Sequence, residues 1–417
     1  MSAVAASGPI PGVHAKLLEL LGTAAVFLGV LLSGFVLNEP APYELYMVGL
    51  IAVWMIFGLR VSATAAILLA LFFAFNLGGA IAVTQMTAPT GAAMYVAVSL
   101  FLALTAVFFT AVLEARPQLY RTIFAAWTVA GVATAALGIA GYFGFGAEAF
   151  TRHGRASGAF QDPNVFGPFL VAPAMLLLYR VYTGGAGRIA LCAPPLLILA
   201  GGIFFSFSRG AWGALILSAM LLTLVLLLQP SRGVMKLRVV ALAILAVAAL
   251  ALAILLALQL PGVWDVFTAR AQLEQPYDSG RFGRFGRHWI GLDMAMANPL
   301  GIGPLVFGKL LGEDTHNIWL KALLDYGWIG FAAYLLVIVT TLAGGLRLLF
   351  RDRPWRPYVV CAYVTFAAHV ALGAIIDTDH WRHVYVLIGM IWGGIALEHR
   401  RARHLISERG GTRPSLA

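Results

Sequence analysis

Apolar residues come in runs of about 20 separated by short polar breaks, the pattern of successive membrane-spanning helices. Such runs fall near residues 17–37, 43–59, 62–84, 92–113, 121–143 and 163–184. Six more lie near 187–206, 210–228, 238–260, 327–348, 356–376 and 383–398. The pattern predicts an all-α polytopic membrane protein with about twelve transmembrane helices. The first run is too long for a signal-peptide core and no small-residue cleavage site follows it, so it reads as a retained helix. On this plan, residues 1–260 hold nine helices with short loops and 261–316 form one large loop. Residues 317–400 supply an interfacial helix and the last three spans, and 401–417 a basic tail.

Composition agrees. The 417 residues are 61% hydrophobic and 11% charged, against about 25% charged in a soluble domain. The net charge of +10 does not indicate nucleic acid, because the basic residues lie between apolar runs rather than in blocks interleaved with aromatics. They sort by side instead. With the N-terminus inside, 18 of the 28 Lys and Arg residues fall on the cytoplasmic side. Five of the other ten sit in the large loop, where the positive-inside rule does not apply, so the short loops divide 18 to 5. Both termini are therefore expected in the cytoplasm. Cys192 and Cys361 lie in apolar runs and imply no disulfide framework or metal cluster.

The outer face carries the chemistry. His316 stands at the end of the large loop, after Glu313 and Asp314 and before Asn317, where a short amphipathic helix with Lys321 and Asp325 four apart runs to Gly327. A histidine there can accept a proton from a hydroxyl near neutral pH. It can equally be an interfacial cap that bonds its own turn. Arg209, in Ser206-Phe207-Ser208-Arg209-Gly210, opens the eighth span after almost no loop, where free helix N–H groups and a guanidinium together suit an anion. The plainer reading is an arginine reaching for lipid headgroups. Arg281, Arg284 and Arg287 recur at spacing three, on one face if helical, and a shared pyrophosphate would relieve their repulsion. A solvated basic face is the alternative, and the glycines at 280, 283 and 286 weaken the helix.

Two further stretches add polar groups to that face. Asp162 and Pro163 read as the N-cap and first residue of the sixth span. Arg152, Arg155, Gln161 and Asn164 around them, like Asp314 and Asn317 near His316, are candidate substrate contacts. Asp377 and Asp379 form an Asp-x-Asp pair able to bind a divalent metal. The reading preferred here has them capping the last span and pairing with Arg382, with no metal assigned. Arginines, histidines and carboxylates above a hydrophobic bundle suit a ligand with an anionic head and a long lipid tail.

Four motifs in order resemble the O-antigen ligase and polymerase superfamily of bacterial inner membranes. His316-Asn317, nine residues, then Gly327 is similar to that family's signature after its large periplasmic loop. Arg155-Ala-Ser-Gly-Ala-Phe-Gln-Asp162-Pro163-Asn164, Ser208-Arg209-Gly210, and Gly280-Arg281 through Asn298-Pro299-Leu300-Gly301-Ile302-Gly303 resemble the other three. The resemblance implies a fold like that of GT-C-type glycosyltransferases and an inverting, metal-independent transferase that needs no cofactor. The implied donor is an undecaprenyl-pyrophosphate-linked glycan, and the acceptor is lipid A core or another lipid-linked glycan. It further implies His316 as base or acceptor-orienting residue, and Arg209 with one of Arg281, Arg284 or Arg287 on the diphosphate, at the periplasmic face. The repeated Arg-Phe-Gly departs from the family pattern and ranks Arg281 or Arg284 before Arg287. The single loop before His316 ranks ligase before polymerase. A transporter or lipid-linked oligosaccharide flippase is the rival from another class, but it would place polar groups near the bilayer midplane on broken helices.

Overall fold

A computed structural model describes residues 11–260, 262–272 and 283–410. The chain runs through α1 (Pro11–Leu32), α2 (Pro42–Ile56), α3 (Ala63–Thr84), α4 (Ala92–Ala115) and α5 (Leu119–Tyr142). A short α6 (Ala147–Phe150) leads into a two-residue hairpin, β1 (Thr151–Arg152) with β2 (Arg155–Ala156). Next come α7 (Pro163–Phe169), α8 (Val171–Thr183), α9 (Ala186–Phe205), α10 (Arg209–Leu228) and α11 (Gly233–Ala257). The large loop holds α12 (Val263–Ala271), α13 (Arg284–Ala297) and α14 (Val306–Leu311). The chain then continues as α15 (Ile318–Leu348), α16 (Arg356–Leu372) and α17 (Arg382–Gly410).

Each of the twelve expected spans coincides with a helix. Among the described residues nine helices are long and apolar enough to cross a membrane, and α2 and α16 are shorter apolar helices. The sixth span is broken into α7 and α8, with Pro168 inside the first of them. The outward leucines and valines of α11, where Val239 alone among the described residues is buried, suit hydrocarbon rather than water.

The helices pair through small residues. α15 lies along α3, and α17 along α4. A Cβ on Gly78 would stand 2.3 Å from the Tyr326 carbonyl oxygen and 2.6 Å from the Gly330 nitrogen, so only glycine permits this crossing. Phe75 and Tyr326 stack beside it with ring centroids 4.0 Å apart.

The tenth span was expected at 327–348, but its helix begins nine residues earlier and breaks inside. Gly327 has φ 64° and ψ −176°, ending one helix and starting the next. Into the break fits the Pro299–Gly303 turn. Trp328 N–H donates to the Pro299 carbonyl at 2.9 Å, and Ile302 N–H to that of Leu324 at 2.8 Å. A Cβ on Gly327 would meet the Leu300 carbonyl carbon at 2.7 Å and its oxygen at 2.8 Å. Gly327→Ala therefore combines a backbone conformation costing about 1–3 kcal/mol with a clash against backbone. We expect it to lower the yield of monodisperse protein and its melting temperature. Gly312→Ala should do less harm, since Gly312 has φ 83° but open space around it. Equal melting of the two variants would show that the threaded turn contributes little.

Candidate active site

The turn that carries His316 is fixed from three sides. Asn317 is the N-cap of α15, its side-chain oxygen accepting from Trp319 N–H at 3.0 Å and Leu320 N–H at 3.2 Å. The Asp377 Oδ1 reaches in from the loop after α16 and accepts from the Asn317 N–H at 2.9 Å and the Thr315 hydroxyl at 3.1 Å. From α13, a ring nitrogen of His288 lies 2.8 Å from the Thr315 carbonyl oxygen, and Arg287 pairs with Glu313. One carboxylate thus holds both neighbours of His316. His316 itself is half-buried with φ 49°.

Beneath the turn lies a buried charge cluster. Lys321 is 3% exposed, pairs with Asp314 and stands 3.4 Å from Asp325, which is 1% exposed. Its ammonium also lies 5.4 Å from the centre of the Tyr95 ring. The i,i+4 pair expected on an interfacial helix is therefore present, but inside the protein. Removing one member of such a pair costs about 3–5 kcal/mol, because the other is left charged and buried.

Burial pushes the Asp377 carboxyl up to about 7, with Lys321 opposing the rise and Asp314 and Asp379 adding to it. The folded protein therefore holds this proton to near neutrality, whereas the unfolded chain releases it near 3.8. Stability from this source is complete below the unfolded value and is lost as the pH rises through about 7. Asp377→Asn cannot ionise and is expected to flatten the loss. Melting temperatures of both proteins on either side of neutrality test this; equal slopes would remove the titration from Asp377.

Arg209 approaches from the other side. Three residues join α9 to α10, and Phe207 at φ 45° makes so short a connection possible. Ser208 caps α10 by accepting from Ala211 N–H at 3.4 Å. The Arg209 guanidinium donates to the Gln272 carbonyl at 2.8 Å, so it also tethers the large loop where α12 ends. A Cβ on the next residue, Gly210, would lie 2.6 Å from Leu372 Cδ1. One residue further along α16's end, the Gly373 carbonyl accepts from Ile318 N–H at 2.8 Å. The start of α10, which carries Arg209, and the start of α15, which follows His316, therefore both pack on the C-terminal end of α16. Each of the two turns contains a non-glycine residue in the left-handed region, a costly conformation that clusters at functional sites.

Residues 194–335 match the family model described as O-antigen ligase. The matched stretch is similar to the O-antigen ligase family. It includes Arg209, α13, His316 and Gly327, and it ends before Asp377. No curated protein matches the chain. The match supports a multi-pass membrane protein carrying a segment similar to enzymes of the O-antigen ligase type.

The matched segment does not contain the 152–164 stretch, which the structure nevertheless packs against it. Asp162 caps α7, accepting from Asn164 N–H at 2.8 Å. Arg155 is buried and donates to the Ser206 carbonyl at 2.7 Å and the Asn164 side-chain oxygen at 2.8 Å, so it braces the turn before Arg209. Arg152 donates to the Glu148 and Thr151 carbonyls at the hairpin, and Gln161 donates to the Leu37 carbonyl at 3.2 Å. Of the three loop arginines, Arg281 lies outside the described residues. The helix begins at Arg284, after Gly283, and Arg287 is engaged with Glu313.

The Asp-x-Asp reading needs correction. Arg382 pairs with Glu44 and Glu39 of the first outer loop and α2, not with either aspartate. Asp377 turns to Thr315 and Asn317, while Asp379 accepts from the Tyr95 hydroxyl and lies 2.9 Å from His380 Nδ1. Neither is a helix cap; they point to different partners. The site residues absent from the sequence reading are Thr315, His288 and Asp377 in its role as clamp. The Thr315–Asp377 link spans 62 positions, and no local spacing announces it.

Proposed function

We propose that the protein transfers a glycan from an undecaprenyl-pyrophosphate carrier to an acceptor hydroxyl, with inversion and without a metal, at the periplasmic face of the bacterial inner membrane. The acceptor assigned is lipid A core. The observation that supports the reading is the packing of the starts of α10 and α15, which flank Arg209 and His316, on the end of α16, within a stretch matched as O-antigen ligase.

The chemistry is a displacement at the anomeric carbon. The acceptor oxygen forms the new bond, the bond to the diphosphate oxygen breaks, and the hydroxyl proton passes to the His316 imidazole. The departing diphosphate gains negative charge, which Arg209 and an arginine near the start of α13 stabilise. The donor carries its own leaving group, so no nucleotide is needed. Asn317 and Asp314 fix the turn, and Arg155 fixes the ridge beneath Arg209.

Purified protein given the lipid-linked donor with lipid A core should yield one discrete glycan–core adduct. A ladder from the donor alone would establish a polymerase instead. No product in either arm, with donor bound equally by wild type and the His316 variant, would return the transporter reading. Transfer should persist under strong chelation; its loss there, restored by a divalent ion, would reinstate a metal.

A further inference from the structure

At the opposite end of the bundle, α15 and α17 separate around a cleft of about 360 Å³. The two helices touch where Gly344 faces Ile395, since a Cβ there would lie 2.6 Å from Ile395 Cδ1. Leu348, one turn on, also packs against Gly394 of α17, and the cleft opens beside these contacts. Leu348, Ile395 and Leu405 give the cleft an apolar lining, and Arg347, Arg351 and Arg401 ring it with positive charge. The one carboxylate in the lining, Glu398, is already gripped at both oxygens by Arg353. Arg347, Arg351 and Arg401 have no acidic partner among the described residues. Like charges gathered in this way repel unless an anion is shared between them.

The setting selects the anion. Leu346 and Phe350, 51% and 44% exposed, flank the arginines and face outward with the apolar surface of the bundle. A ligand here meets guanidiniums at its head and hydrocarbon alongside. We propose that this cleft binds the phosphate of an anionic phospholipid, seated between α15 and α17 at the basic end of the protein. Basic pockets between membrane helices on the positively charged side suit such headgroups, and guanidinium geometry suits two phosphate oxygens at once. The lipid would brace the end of α15 whose other end carries the His316 turn.

The test uses the full-length protein in detergent with three probes: phosphatidylglycerol, phosphatidylcholine and inorganic phosphate. Native mass spectrometry reads bound lipid and a melting curve reads stabilisation. Phosphatidylglycerol is expected to bind and raise the melting temperature, with affinity falling about fivefold for each arginine replaced by glutamine at 347, 351 and 401. Arg121→Gln, an exposed arginine at the same end, should change nothing. The single variants guard against misfolding of the triple variant, and retained glycan transfer reports that each is folded. Equal binding of phosphatidylcholine, unaltered phosphatidylglycerol binding in the single and triple variants, or an equal shift from inorganic phosphate would each overturn the proposal.

Discussion

His316→Ala leaves the protein in the membrane at its normal amount and lowers glycan transfer by about 10²–10⁴-fold, the range for loss of a positioned acid–base group. The fold should survive, because the turn is held through the neighbours of His316. Asn317 caps α15, and Asp377 grips the Asn317 N–H and the Thr315 hydroxyl, through atoms that the substitution does not touch. Alanine also accepts the left-handed φ of 49° at a modest cost. Donor binding should persist, since the diphosphate contacts are assigned to arginines. A side-by-side assay of donor retention and product formation separates the roles. Full activity in the variant would remove His316 from the chemistry, and loss of both binding and product would make it a structural residue.

The segments whose meaning is local were legible in the sequence. Each of the twelve apolar runs falls on helix, the sixth on the two pieces α7 and α8, because a bilayer imposes length and polarity on each span without reference to its neighbours. Asp162-Pro163 announced a helix start for the same reason: cap and first turn are adjacent in the chain. Gly327 announced the end of the short helix, but not that the Pro299–Gly303 turn is threaded into the break. That pairing is decided by where two distant backbones cross. The same limit governs Asp377. An aspartate after an apolar run has many local partners on paper, Arg382 among them, yet folding delivers Arg382 to Glu44 and Asp377 to the His316 turn. Lys321 and Asp325 show the limit from another side. Their i,i+4 spacing was readable, while their burial beneath Asp314 followed only from the packing of α15 on α3.

Arg209→Lys is expected to lower transfer by about 10²–10³-fold, the cost of removing one donor from a site that stabilises developing charge. The change keeps the positive charge, so a role as headgroup anchor predicts almost no effect. What lysine lacks is the planar fork that can hold two diphosphate oxygens while the C–O bond breaks. It also loses the guanidinium nitrogen that donates to the Gln272 carbonyl at 2.8 Å. The residue sits at the first turn of α10, where Ser208 occupies the Ala211 N–H and the remaining helix N–H groups add to the positive field. Because the interaction strengthens as the diphosphate departs, kcat should fall more than KM rises. A fall in apparent affinity alone would place Arg209 on the ground-state donor. Unchanged kinetics would reduce it to a tether for the large loop, and the proposed diphosphate site would then have to be built around the arginines at the start of α13.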